Sequence, residues 1–186
     1  LEAFKAAALS EFNADITRDA YFNWAKLAFD INKDTQVFKD YMKKYPDREK
    51  DDQIHNYMAV TSLYDRDYAA AIESYGEVEE MDDRMTRNYM KANYLRGHQL
   101  ISSKAYSDAI IYLNNARYYS EQLKFTSLNQ MCRFWIAESY YHTENYEKAR
   151  EIYTGLYNES ALNKLPESYL ISYNIAYCHF KEENYP

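Results

Sequence analysis

The sequence predicts an all-α fold, an α-solenoid in which antiparallel helix pairs follow one another along the chain. The first observation is a tyrosine that recurs at intervals of 38, 40 and 39 residues: Tyr68, Tyr106, Tyr146 and Tyr185. The second is a small residue that lies nine residues before each tyrosine, in an apolar, helix-like context: Ala59, Gly97, Ala137 and Ala176. The third is that 186 residues include only 3 Gly and 3 Pro, which leaves little material for β-turns. Such a repeat indicates stacked units that bury their apolar faces on their neighbours.

The repeat divides one continuous domain into units of two helices. We predict a half-unit at 1–13, units at about 18–46, 52–82, 84–122 and 127–160, and a partial unit at 166–186. Periodicity and capping residues place the helices at 18–31, 34–45, 52–65, 67–80, 84–103, 105–122, 127–143, 145–159 and 166–182.

Capping residues justify most of these starts, because a side-chain oxygen at the N-cap accepts a backbone N–H of the first turn. The residues expected to do so are Asp34, Asp52, Asp83, Thr126 and Asn145. Pro166 suits a first helical position, and Pro46 ends the second helix of the first unit.

Charge and composition exclude several classes of function. The chain has 22 Lys and Arg against 29 Asp and Glu, a net charge of −7, which is the wrong sign for a nucleic-acid binder. No stretch approaches 18 consecutive apolar residues, so we expect no direct membrane insertion. Both ends of the sequence read as the interior of a repeat, and we therefore expect a fragment of a longer protein.

The residues that carry chemistry form no catalytic or metal-binding pattern. The four histidines fall in different repeats and lack the spacing of a zinc helix. The three glycines are isolated, and the acidic pairs 79–80 and 82–83 lie at a turn between repeats, where nothing raises a carboxyl pKa for acid catalysis. Cys132 and Cys178 are expected to be small buried apolar residues. We therefore predict no enzyme activity, no metal and no cofactor.

The repeat resembles the tetratricopeptide repeat, a helix-turn-helix unit of about 34 residues in which small residues let helices approach closely. The matching positions are Ala59, Tyr68, Ala71 and Tyr75; then Gly97, Tyr106, Ala109 and Ala116; and then Ala137, Tyr140, Tyr146, Ala149 and Tyr153. The resemblance covers nearly all of the chain and implies a right-handed superhelix.

A narrower resemblance is to large, tyrosine-rich tetratricopeptide proteins of the Bacteroidetes cell envelope. It rests on the phrases at 3–7, 12–13, 43–47, 94–97 and 137–141, and on the helix at 19–28. It implies a bacterial protein of the periplasm or cell envelope.

In this repeat class the first helix of each unit lines a concave groove. The resemblance implies that residues at the equivalent positions of this sequence line such a groove. They are Phe22, Lys26, Tyr64, Tyr94, His98, Phe134, Glu138, Tyr141, His142, Tyr173 and Tyr177. Aromatic side chains are favoured anchors of interfaces, so we expect a non-enzymatic scaffold that binds a protein or an extended peptide. The same spacing also fits aromatic side chains that pack between helices. The alternative function is then a structural spacer within a larger solenoid.

The last helix has no partner helix within the sequence. Its apolar side is therefore expected to support self-association, through Tyr173, Ile175, Ala176 and Phe180.

Overall fold

A computed structural model describes residues 1–10, 13–159 and 168–183. These residues form helices and no strand, which confirms the predicted all-α fold. The helices are α1 (Glu2–Leu9), α2 (Ala14–Asn32), α3 (Gln36–Lys44), α4 (Arg48–Tyr64), α5 (Tyr68–Gly76), α6 (Asp83–Ser102), α7 (Tyr106–Gln122), α8 (Thr126–His142), α9 (Tyr146–Tyr157) and α10 (Ser168–Lys181).

The helices form two compact units, Leu1–Met81 and Asp82–Pro186. In the first unit α1 packs on α2, α2 on α3 and α4 on α5. In the second unit each helix from α6 to α10 packs on the next along the chain. The helices α2, α4, α6, α8 and α10 are therefore the first helices of successive pairs.

The repeat positions occupy equivalent, buried places in the two units. Ala71, Ala109 and Ala149 are fully buried, three residues after the repeat tyrosine. The small residues of the first helices are buried at Ala59, Gly97 and Ala137. Ala176 is exposed instead, because no described second helix packs on α10 as α9 packs on α8. Tyr185 lies outside the described residues.

The turn between the helices of a pair has one repeated backbone conformation. Arg66, Lys104 and Glu144 have positive φ angles of 63°, 62° and 61°, each two residues before the repeat tyrosine. The next N–H closes the turn on a carbonyl five residues back, with distances of 2.9, 2.8 and 2.9 Å. This is a Schellman-type helix end, which satisfies carbonyls that the helix leaves open.

Some predicted caps are correct and others move by one residue. Asn145 caps α9, because its side chain accepts the Lys148 N–H at 3.3 Å. Asp82 rather than Asp83 caps α6. Thr126 is the first residue of α8, and no side chain caps that helix. Pro166 lies outside the described residues.

Asp52 was predicted to be a cap, and this prediction is wrong. The helix begins earlier, at Arg48, because the Asp47 side chain accepts the Lys50 N–H at 3.3 Å. The Asp52 carboxylate instead accepts the N–H groups of Glu79 and Glu80, at 3.0 and 3.4 Å. These bonds hold the chain after α5 in a loop, so α5 ends at Gly76 rather than at residue 80.

Candidate functional site

The second unit carries two groups of touching aromatic side chains on its first helices. Together we call them the aromatic row, which consists of Tyr94, His98 and Trp135 in the first part and Tyr141, Tyr173 and Tyr177 in the second. Its first part joins α6 to α8. The Tyr94 and His98 rings meet edge to face with centroids 4.5 Å apart, and His98 meets Trp135 in the same way at 4.9 Å. Tyr94 and His98 lie one turn apart on α6, which brings their rings onto the same helix face. This part of the row therefore comes from helix periodicity and close packing.

The second part of the aromatic row joins α8 to α10. The rings of Tyr141 and Tyr177 lie 5.8 Å apart, and Tyr177 stacks on Tyr173 at 5.7 Å. Tyr173 has 62% of its surface exposed, whereas Tyr141 and Tyr177 are half-buried. This part therefore offers an exposed ring supported by two packed rings.

His142 is exposed and lies beside the row, at the end of α8. Its ring stacks on Tyr106 with a centroid distance of 4.5 Å and an angle of 11° between the planes. Tyr106 is a repeat tyrosine, and this contact joins it to the end of the next first helix, α8.

Burial keeps the phenol of Tyr141 neutral. Removal from water raises the pKa of Tyr141 to about 12, and the neighbouring Tyr177 and Tyr146 add to the shift. A neutral phenol can both donate and accept a hydrogen bond. Tyr141 therefore offers the row an apolar ring face and a polar edge at neutral pH.

Phe134 was predicted to line the groove, and the structure places it in the core. Its side chain is 3% exposed and packs against Tyr153, Leu156 and Ile171 in the main buried cluster of the second unit. The next residue, Trp135, takes the outward position and reaches His98. Phe134 therefore stabilises the fold and offers no surface to a partner.

Glu138, another predicted groove residue, is half-buried and links three helices. Its Oε1 accepts hydrogen bonds from the Tyr153 hydroxyl on α9 and from the Asn174 amide on α10, the latter at 2.7 Å. The carboxylate also raises the pKa of Tyr153, where burial is the larger cause. Glu138 therefore holds α8, α9 and α10 together beneath the row.

The remaining predicted residues belong to the first unit. Phe22 packs on Tyr41 and Phe38 with ring distances of 5.6 and 6.1 Å. Lys26 places its Nζ 4.9 Å from the centre of the Tyr57 ring. Tyr64, at the end of α4, is 83% exposed. These residues do not form a row of touching rings like that of the second unit.

Trp135 and Tyr106 were missed from the sequence. Trp135 lies two residues before the small residue Ala137, and Tyr57 occupies the same place before Ala59. This recurrence of a large aromatic residue at one repeat position could have identified Trp135 as a candidate from the sequence. Tyr106 was assigned to helix packing because it is a repeat tyrosine.

The described ranges hold no group of three or more His, Cys, Asp or Glu side chains placed to bind a metal. Within the same ranges, no helix has the length and apolar character needed to span a membrane.

No family model matches the chain, and no curated protein matches it. Among solved structures, the crystal structure of the apo form of RapI matches 99% of the chain, with a TM-score of 0.53 and 12% sequence identity. The chain spans 55% of the length of that RapI chain. At this identity the likeness shows the fold alone, which is an all-helical repeat fold.

Proposed function

We propose that this chain is a non-enzymatic scaffold that binds an extended segment of a protein or peptide along the aromatic row of its second unit. The observation that supports the proposal is the continuity of ring contacts from α8 to α10, which ends in the exposed ring of Tyr173. Rigid aromatic side chains with polar edges are favoured anchors at protein interfaces, because they bury much area and lose little rotamer freedom.

The support beneath the row also favours binding. Tyr141 rests against Tyr146 at 5.4 Å, and Glu138 ties the three helices together below it. A surface that is already ordered loses less entropy when a ligand binds. The row is therefore preorganised for a segment that lies across α8 and α10.

The experiment selects peptides that bind to the chain from a random library. The affinity of each selected peptide for the chain is then measured. Tyr173→Ala is expected to weaken binding by about thirtyfold, which corresponds to a hot-spot loss of about 2 kcal/mol. The melting temperature should not change, because an exposed side chain leaves no cavity.

Tyr64→Ala is the matched control, since Tyr64 is an exposed tyrosine of the first unit, outside the row. It should leave the affinity unchanged. The proposal fails if the two variants weaken the selected peptides equally, or if no peptide depends on Tyr173.

A structural spacer is the second candidate function. It is favoured by the burial of Phe134 and by the internal bonds of Glu138, since both residues were expected at the groove and serve packing instead. The spacer function would be supported if no selected peptide loses affinity when a residue of the aromatic row is substituted.

Two further properties belong to the same proposal. Self-association through α10 is supported by the exposure of Tyr173, Ala176 and Phe180, and the mass of the particle in solution at increasing concentration tests it. A location in the bacterial periplasm or cell envelope rests on the sequence resemblance, and fractionation of cells tests it.

A further inference from the structure

The first unit contains a cavity of about 700 Å³ that plays no part in the proposed function. Its lining comes from α3, α4, α5 and the C-terminal end of α2. Cavities of this volume suit small organic ligands, for which the usual range is about 300–1,000 Å³.

The base of the cavity is apolar. Phe29 and Met58 are buried, and Met42 is half-buried beside them. Phe29 and Met58 also belong to the main buried cluster of the first unit, which fixes their positions. A ligand with an apolar side chain would therefore meet an ordered apolar surface.

The rim carries charges of both signs on different helices. Lys39 stands on α3, Glu73 on α5 and Glu77 directly after α5, and all three are exposed at the cavity. None of them forms an ion pair with a described residue, whereas Lys33 at the same rim is paired with Asp65 at 2.5 Å. Among the described residues at the rim, Lys39, Glu73 and Glu77 are therefore without an ion-pair partner.

His55 on α4 lies among these charges. Burial lowers the pKa of His55; the carboxylates of Glu77, Asp51 and Asp52 oppose that shift, and Lys39 adds to it. The imidazole is therefore neutral at pH 7, and its Nδ1 is buried without a hydrogen-bond partner among the described residues. A buried polar atom of this kind requires a partner, which a bound polar ligand would supply.

We propose that this cavity binds a small zwitterion with an apolar side chain, an amino acid or a short peptide with free ends. The ammonium group lies at Glu73 and Glu77, the carboxylate lies at Lys39, and the side chain packs on Met42 and Met58. Each charged end of the ligand thus meets a group that has no ion-pair partner in the described chain, and a polar group of the ligand completes the hydrogen bonding of His55.

The test measures the affinity of the dipeptide leucyl-leucine by calorimetry, beside its N-acetylated form and its C-terminal amide. We expect the free dipeptide to bind, and each blocked form to bind at least tenfold more weakly. Lys39→Met should make the free dipeptide and its C-terminal amide bind with equal affinity. The double variant Glu73→Gln, Glu77→Gln should make the free dipeptide and its N-acetylated form bind with equal affinity. If each substitution removes only the effect of blocking one end, the carboxylate of the ligand binds at Lys39 and its ammonium group binds at Glu73 and Glu77.

Lys43→Met and Glu49→Gln are the matched controls, because both residues are exposed and lie outside the cavity. Absence of binding by the free dipeptide overturns the proposal, as does equal binding of the blocked forms or an equal effect of Lys39→Met and Lys43→Met. Binding of blocked peptides alone would assign the cavity to an internal segment of a longer partner and would also overturn it. Tyr173→Ala should leave the dipeptide affinity unchanged, so this test and that of the aromatic row fail independently.

Discussion

Gly97 of α6 faces Leu113 of α7 so closely that a Cβ atom on Gly97 would lie 2.7 Å from the Leu113 Cγ. Leu113 is fully buried and cannot move aside without disturbing the core. The approach explains why the pair of α6 and α7 has glycine where the neighbouring repeats have alanine.

We therefore expect Gly97→Ala to destabilise the protein by about 1–3 kcal/mol, the usual range for overpacking, although alanine favours the helix. Gly76→Ala is the control, because nothing lies within 4 Å of its Cβ position and its φ angle is not positive. It should stabilise the protein by about 0.5–1 kcal/mol. Urea unfolding measures both, and equal effects of the two substitutions would contradict the close approach.

Phe134→Ala should destabilise the protein by about 3–5 kcal/mol, because it removes a buried ring and leaves a cavity. Tyr64→Ala should change the free energy of unfolding by less than about 0.5 kcal/mol, since Tyr64 is 83% exposed. Thermal and urea unfolding distinguish the two. If Phe134→Ala left the free energy of unfolding unchanged, Phe134 would lie at the protein surface and not in the core.

The bond between Glu138 and Tyr153 predicts a graded series of stabilities. Glu138→Ala leaves the buried Tyr153 hydroxyl without its acceptor and should cost about 1–3 kcal/mol. Glu138→Gln retains an acceptor oxygen and should cost less. In Tyr153→Phe, Glu138 retains the bond from Asn174, so the cost should be about 1 kcal/mol. Equal costs for Ala and Gln at position 138 would show that the bond is dispensable.

The two thiols should be unreactive in the folded protein. Cys132 and Cys178 are fully buried, and burial raises their pKa values to about 12 and about 11. The thiolate is the reactive form, so almost none is present near neutral pH. Ellman's reagent should label neither thiol in buffer and both in urea. Fast labelling of either thiol in buffer would show that its helix opens readily.

Stability should fall at alkaline pH. Burial is the main cause that raises the pKa of Cys132, Tyr57 and Tyr141 to about 12, from ordinary values of 9.0, 10.0 and 10.0. Above those ordinary values the unfolded chain loses protons that the folded chain keeps, so the free energy of unfolding decreases as the pH rises toward 12. Urea unfolding at several pH values, with tyrosinate absorbance followed in parallel, measures the effect. A constant free energy of unfolding between pH 9 and 12 would contradict it.

The sequence alone predicted the all-α fold and the positions at which the helices of a pair pack. The spacing of small residues and tyrosines placed Ala71, Ala109 and Ala149 at helix contacts, and all three are buried. This works because the positions that pack within a helix pair are set by helix periodicity, which is local and visible in the sequence. The capping residue Asn145 was predictable for the same reason.

The tertiary structure alone decided which of the predicted groove residues are exposed and which are buried. Tyr94 and Phe134 stand at the same repeat position, three residues before the small residue, yet Tyr94 is half-buried and Phe134 is in the core. Their exposure depends on which side chains neighbouring helices bring to that place; Phe134, for example, meets Tyr153 and Ile171. The cavity beside His55 depends in the same way on four helices at once, and no local pattern in the sequence records how far apart they stand.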